Sequence, residues 1–386
     1  MQPLTRTELE RCADVARAAG WPAQQQAVLF TYATSLPTKA PWLLGLSAAL
    51  QQLPLIIGGL GQRPWSWYAD SSVKIFGGRR AAQLVDHLAP SARMFVTDSH
   101  DTMLTTNPVH ATIEQALQAA SGGQPAVLAN AECASWPKCY EDIYRQYDAG
   151  FESCVKKGLA CYVNSGGYLA SSAVVMRQMY ERQIEMLVRW KRCGKACSTY
   201  MGREVGLTER TADQSQLHFM WVNRSRNKPL PFDLALDMNS TFFLSLAACY
   251  GPNPMKRLGP MQACYANRYA ASTRYLKVDA LNSSEWKGAE FSPPGRTAQR
   301  PLVLHANGEG KARMMHPSVL PLTNASTLWS PSLAMLDFPV LLLDEHAAFR
   351  RRVMRRSTGT GSDSSADAGG LVCRVAKLGD LIVQRH

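Results

Sequence analysis

No run of about eighteen apolar residues occurs in the 386-residue chain, so nothing in it reads as a membrane-spanning helix. The dinucleotide fingerprint is also missing. Gly58-Gly59-Leu60-Gly61-Gln62 follows an apolar stretch without the G-x-G-x-x-G spacing. No C-x2-C pair of the zinc-ribbon kind is present, so the local pairs Cys133/Cys139, Cys154/Cys161 and Cys193/Cys197 read as disulfides, with unpaired buried thiols as the alternative. Met1 to Arg6 has neither the basic start nor the apolar core of a signal peptide. A cytoplasmic protein is expected if that N-terminus is complete. Ten cysteines and sequons at Asn223, Asn239, Asn282 and Asn324 point instead to a secretory lumen, ER or Golgi. Acidic residues are few, 30 against 42 basic, and the excess is densest at Arg350 to Arg356. A Ser/Gly-rich segment follows directly. Residues 345–386 are therefore expected to be a flexible basic tail, and nucleic acid is not the expected partner.

What is present is the alternation of an α/β protein. Hydrophobic residues make up 46% of the chain and charged ones 19%, enough for a large buried core. Thr7 to Ala19 begins like a capping box and predicts a peripheral helix within residues 1–25. Ala27 to Thr34 is apolar on both faces, as a central parallel strand requires. A helix over Pro41 to Leu53 and a strand over Leu55 to Gly58 complete a βαβ unit. An aromatic loop, Pro64-Trp65-Ser66-Trp67-Tyr68, precedes Gly77-Gly78-Arg79-Arg80, which is expected to open a helix running to Leu88 near phosphates. Strands over Met94 to Thr97 and Ala126 to Ala129, with helices over Val109 to Ala120 and Ala173 to Arg192, continue the pattern. Asn130 to Pro137 is expected to be a polar loop. Leu234 to Asp237 and Thr241 to Leu244 predict a late antiparallel addition to a mostly parallel sheet.

The chemistry gathers at strand ends. Met94 to Thr97 stops abruptly at Asp98-Ser99-His100-Asp101, two carboxylates placed to deliver oxygen ligands at the carboxyl rim of a sheet. The plain alternative is a helix N-cap. Three consecutive residues cannot converge as a Ser-His-Asp triad, so a hydrolase is excluded there. Leu302 to Leu304 runs into His305-Ala306-Asn307-Gly308, and Asp213 opens a helix where a simple N-cap is the alternative. Gly166 and Gly167, after Asn164-Ser165, would let backbone approach a ligand without a Cβ in the way.

In order along residues 26–315 these motifs resemble the glycosyltransferase domain of the procollagen-lysine hydroxylase/glycosyltransferase family. The collinear pieces are Phe30 to Thr34, Leu60-Gly61 with the Trp loop, Phe95 to Asp101, Ser135-Trp136-Pro137, Asn164 to Tyr168, Asp213 to Leu217, Leu236-Asp237 with Phe243, and His305 to Gly308. The resemblance implies a GT-A-like, Rossmann-like domain over residues 26–335. It implies transfer of glucose or galactose from a UDP-sugar donor to a hydroxyl, hydroxylysine-like, on a protein or peptide acceptor. Asp98, Asp101 and His305 would hold Mn2+ or another divalent cation. Thr31, Tyr32 and Thr34 would border the uracil and ribose, with Trp65 or Trp67 near the nucleotide. Asp98, Arg80, Asn307, Gly308 and Lys311 would serve the diphosphate side. Trp136 and Asn164 would face sugar and acceptor. Asp213 would orient the sugar, stabilise positive charge or accept the acceptor proton.

The chain also departs from that family. Thr211-Ala212-Asp213 replaces a run of aspartates, and Arg80 stands nearest to where the family has a lysine. Segments near 138–160 and 193–211 are extra and bear on acceptor choice. After His305 the histidines His316, His346 and His386 form no H-x-D iron triad, so lysyl hydroxylation is not expected. The alternative to an enzyme is a silent module that binds nucleotide-sugar or a partner.

Overall fold

The computed structural model describes residues 3–21, 27–36, 42–60, 72–132, 140–157, 159–193, 199–200, 203–204, 213–224, 230–246, 276–278, 289–292, 297–306, 332–344 and 372–382. In chain order the elements are α1 (Arg6–Ala18), β1 (Ala27–Tyr32), α2 (Leu43–Leu50), β2 (Leu55–Gly58), α3 (Ser72–Leu88), β3 (Arg93–Asp98), β4 (Thr102–Leu104), α4 (Val109–Ser121) and β5 (Ala126–Glu132). Then come α5 (Glu141–Tyr147), α6 (Phe151–Lys156), β6 (Tyr162–Ala170), α7 (Ala173–Cys193), β7 (Thr199–Tyr200), β8 (Arg203–Glu204), α8 (Asp213–Val222), β9 (Asp233–Leu236) and β10 (Phe243–Ser245). The chain closes with β11 (Leu276–Val278), β12 (Ala289–Phe291), β13 (Val303–His305), α9 (Leu333–Leu336), β14 (Pro339–Asp344), β15 (Val372–Lys377) and α10 (Leu378–Ile382).

The main sheet has eight strands in the order β15-β14-β2-β1-β3-β6-β5-β9. Pairings β1–β2, β1–β3, β2–β14 and β5–β9 are parallel, whereas β3–β6, β5–β6 and β14–β15 are antiparallel. The α/β class with a large, mostly parallel, Rossmann-like sheet flanked by helices is thus as the alternation predicts. Burial explains it. Along β1 and β3 successive side chains enter opposite cores: Val28, Phe30, Met94 and Val96 pack with α1, α3, α7 and α8, while Leu29 and Phe95 pack with α2, α4, α9 and α10.

Several boundaries differ from expectation. The helix expected to open at Gly77 already runs from Ser72, so Gly77 and Gly78 lie inside α3. Both are needed for packing, since a Cβ would fall 2.8 Å from the Tyr32 ring at Gly77 and would overlap the Tyr180 ring at Gly78. The expected polar loop after Ala129 is strand as far as Glu132, with a register shift between Ala129 and Asn130. The late antiparallel addition is not formed by residues 234–244. β9 joins the sheet edge in parallel, and β10 leaves it for a three-stranded sheet, β10-β13-β4. The late antiparallel strand is β15.

Consequently the segment expected as a tail includes ordered structure, since Val372–Ile382 is strand and helix, and buried Cys12 of α1 is disulfide-bonded to Cys373 of β15, with Cα atoms 5.2 Å apart. A capping box does start α1, but on Thr5 and Glu8, two residues before the start expected at Thr7, with Thr5 N–H donating to Glu8 Oε2 at 2.9 Å. Cys154 and Cys161 are bridged, as their spacing suggested, while Cys133/Cys139 and the Cys193/Cys197 side chains lie outside the described residues. No described helix is long and apolar enough to cross a membrane.

Candidate metal centre

β3 ends at Asp98, and two tethers fix the turn that follows. Trp42 Nε1 donates to the Ser99 carbonyl at 2.9 Å, and Ala306 N–H donates to the Asp101 carbonyl at 2.7 Å. β4, directly after Asp101, pairs with β13 so that His305 stands opposite Thr102. The small sheet thereby delivers His305 to two aspartates far away in the sequence. His305 Nε2 is 3.4 Å from Asp98 Oδ2 and 3.7 Å from Asp101 Oδ1, and one ligand atom from each residue lies within 4.8 Å of the others. His305 is 1% exposed, and among the described residues its buried Nε2 has no hydrogen-bond partner. An imidazole nitrogen directed at two carboxylates is a donor set suited to a divalent cation, which these residues could hold.

Gly166 makes room for that ring. A Cβ there would lie 2.5 Å from His305 Nε2, and at Gly167 it would lie 2.5 Å from the Phe243 ring. The two glycines therefore admit side chains of this protein, a correction to the expectation that they admit a ligand.

Lys74, which no sequence motif marks, stands among these carboxylates. Its Nζ is 2.6 Å from Asp98 Oδ1 and 3.1 Å from Asp213 Oδ2, and it donates to the Ser165 carbonyl at 2.9 Å. Burial by itself would depress the Lys74 pKa, but Asp213 and Asp98 outweigh it and hold the ammonium charged, well above its usual range. Burial likewise opposes ionisation of Asp98, yet Lys74 and His305 prevail and its pKa is lowered. His305 is raised: desolvation pulls it down, and Asp98 and Asp101 more than compensate. Arg80 is half-buried six residues along α3, about two-thirds of a turn around from Lys74.

A second buried acid stands behind the first group. Glu132 accepts from Asn164 Nδ2 at 2.8 Å and from Gln214 Nε2, and Asn164 Oδ1 accepts the Gly166 N–H at 2.6 Å. Asn164 thus belongs to the scaffold under His305. Asp213 begins α8 as expected, but it is more than a cap. Its Oδ1 accepts from the Gln214 N–H at 2.9 Å while Oδ2 faces Lys74.

Among the nucleotide-side residues, Thr31 is fully buried and its hydroxyl donates to the Thr97 carbonyl at 2.8 Å, so it braces β1 on β3 rather than presenting an open hydroxyl. Tyr32 pairs with Asp98 across β1 and β3, and its ring closes over Gly59, whose φ is +86°. Thr34 is half-buried just past β1. Trp65, Trp67, Trp136, Asn307, Gly308 and Lys311 lie outside the described residues.

No protein-family model matches the chain, and no curated protein matches it. Among solved structures it is similar to mannose-1-phosphate geranyltransferase from Thermus thermophilus, over 58% of this chain and 83% of that one, at 12% identity and a TM-score of 0.27. Nothing about activity follows from likeness at that level.

Proposed function

We propose that this chain is a divalent-metal-dependent glycosyltransferase that moves a hexose, glucose or galactose, from a UDP-sugar to a hydroxyl on a protein acceptor. The observation that carries the proposal is the convergence of Asp98, Asp101 and His305 at one rim of the sheet, with Lys74 and Asp213 beside them. Imidazole with two carboxylates favours Mn2+ over Mg2+ by ligand softness. Such an ion, when bound, supplies Lewis-acid stabilisation of a departing diphosphate.

The protein's own groups divide the remaining work. Lys74 places a buried positive charge where a diphosphate's negative charge would lie, and it also fixes the spacing of Asp98 and Asp213. Asp213 would orient the sugar, stabilise oxocarbenium-like charge or take the acceptor's proton. Glu132 holds the Asn164 and Gln214 amides in place, and Asn164 supports the site from beneath His305. Trp65 or Trp67 would flank the nucleotide, and Trp136 the acceptor. Tyr32 and Thr34 would border the uracil and ribose, and Asn307, Gly308 and Lys311 would meet the diphosphate. The sequons and the two disulfides among the described residues suit a secretory lumen.

Hydrolysis of UDP-glucose and UDP-galactose, with and without Mn2+, tests the proposal. Turnover that requires Mn2+ and disappears in Asp101→Ala is the expected result. Absence of turnover together with unchanged UDP binding in Asp101→Ala would sink it. A silent binding module is favoured by one feature, the solitary Asp213 after Thr211-Ala212, its carboxylate already engaged by Lys74. Calorimetric UDP binding without any transfer would establish that reading instead.

A further inference from the structure

We propose that Asn130 is the positioning residue that decides which ring nitrogen of His305 carries the proton, and thereby whether His305 can accept a cation. The proposal rests on the reading of Asp98, Asp101 and His305 as a metal-holding set.

Asn130 sits on β5 immediately after the register shift against β6, a local irregularity that re-aims side chains. It is completely buried. Its Nδ2 lies 3.2 Å from His305 Nδ1 and 3.3 Å from Asn164 Oδ1, while its own Oδ1 is buried with no partner among the described residues. An amide NH2 only donates, so in this arrangement Nδ1 of His305 is the acceptor and the ring proton belongs on Nε2. That N–H then points toward Asp98 and Asp101, 3.4 and 3.7 Å away. The arrangement is consistent for a centre without a cation, because an N–H faces two carboxylates.

Cation binding needs the opposite tautomer. Nε2 must offer its lone pair, and Nδ1–H must have an acceptor. Rotating the Asn130 amide by about 180° exchanges Nδ2 for Oδ1 opposite Nδ1, which supplies that acceptor and gives Oδ1 the partner it lacks. The cost is the 3.3 Å bond to Asn164, whose Oδ1 then meets another acceptor, and a buried Nδ2 in the position where Oδ1 had no partner among the described residues. Loading of the centre is therefore coupled to one buried amide with two orientations, each satisfying a different tautomer of His305.

The test is 15N NMR of the His305 ring in the full-length chain, free and titrated with diamagnetic Zn2+, with Mn2+ affinity measured in parallel by EPR. The wild type should show Nε2–H when free and Nδ1–H when loaded. Asn130→Asp, whose carboxylate only accepts, should show Nδ1–H already in the free protein. Asn130→Ala should lose the tautomer preference and bind Mn2+ about 10- to 100-fold more weakly, with an unchanged circular dichroism spectrum. Nδ1–H in the free wild type overturns the proposal, as does a ring tautomer indifferent to both substitutions. If the wild type binds no Mn2+ or Zn2+, the metal reading fails and with it the coupling to loading. The Asn130→Asp tautomer still decides by itself whether Asn130 sets the proton's place.

Discussion

Two buried histidines show what separates a candidate site from a polar core. His218, on α8, is 1% exposed and its Nδ1 is 2.6 Å from the Tyr144 hydroxyl, with the Tyr140 ring centroid 4.9 Å away. Nearby, buried Asp148 accepts from Trp221 Nε1 at 2.8 Å and Arg224 Nη2 at 3.0 Å. Acid, imidazole and phenol are all present there, and the named groups are paired with one another. His305 is equally buried, but among the described residues its Nε2 lacks a hydrogen bond, and it confronts two carboxylates. Burial and residue type are the same in the two places. Convergent, incomplete pairing distinguishes the second and marks it for a ligand.

The largest expected effect lies at the ligands. Asp101→Ala should reduce Mn2+-dependent UDP-sugar turnover by about a thousandfold, the equivalent of several kcal/mol of lost charge stabilisation. Turnover within tenfold of wild type would erase the distinction between the two histidines. Lys74→Met comes next, since it leaves Asp98 and Asp213 without their cation in a site where Lys74 itself is 7% and Asp98 23% exposed at the side chain. A loss of about 3 kcal/mol in chemical denaturation is expected at neutral pH. Asp98's folded pKa is lowered, so its pairing stabilises the protein above the ordinary aspartate range and that stability fades as pH falls through the folded value. The difference between Lys74→Met and wild type should therefore shrink in acid, and a difference that grows in acid would contradict the assigned pair.

Gly166→Ala puts a methyl into the His305 ring and should weaken Mn2+ binding and turnover by about a hundredfold, as misplacement near 1 Å does, with little change in the far-UV spectrum. Unchanged affinity would mean that the ring moves freely. The smallest effect is expected at the other histidine. His218→Phe removes one hydrogen bond from a packed aromatic cluster and should lower stability by about 1 to 3 kcal/mol while Mn2+ affinity of the folded protein stays the same. A fall in affinity there would show that the two regions are coupled.

The strand endings were legible because a buried parallel strand must be apolar on both faces, so the break at Asp98 announces itself in the letters. His305 was visible for the same reason. Lys74 was not. Gly77-Gly78 looks like a helix start, and only the Tyr32 and Tyr180 rings packed against it reveal why glycines occur inside α3. Asn130 and Glu132 were hidden by a bulge that carries β5 further than its apolar run suggests. Asn164-Ser165-Gly166-Gly167 stands out in the sequence, but its glycines yield to His305 and Phe243.

Local order of apolar and polar residues thus determined by itself the α/β alternation, most strand positions and the placement of Asp98, Asp101 and His305 at strand ends, whereas their grouping around one cation is what the family resemblance implies. Tertiary structure alone decided that β13, by pairing with β4, brings His305 to the aspartates, that Lys74 joins Asp98 to Asp213, and that Cys12 meets Cys373. Each of those contacts spans a long stretch of chain, and hydrophobic periodicity reports which face of an element is buried without reporting which distant element covers it.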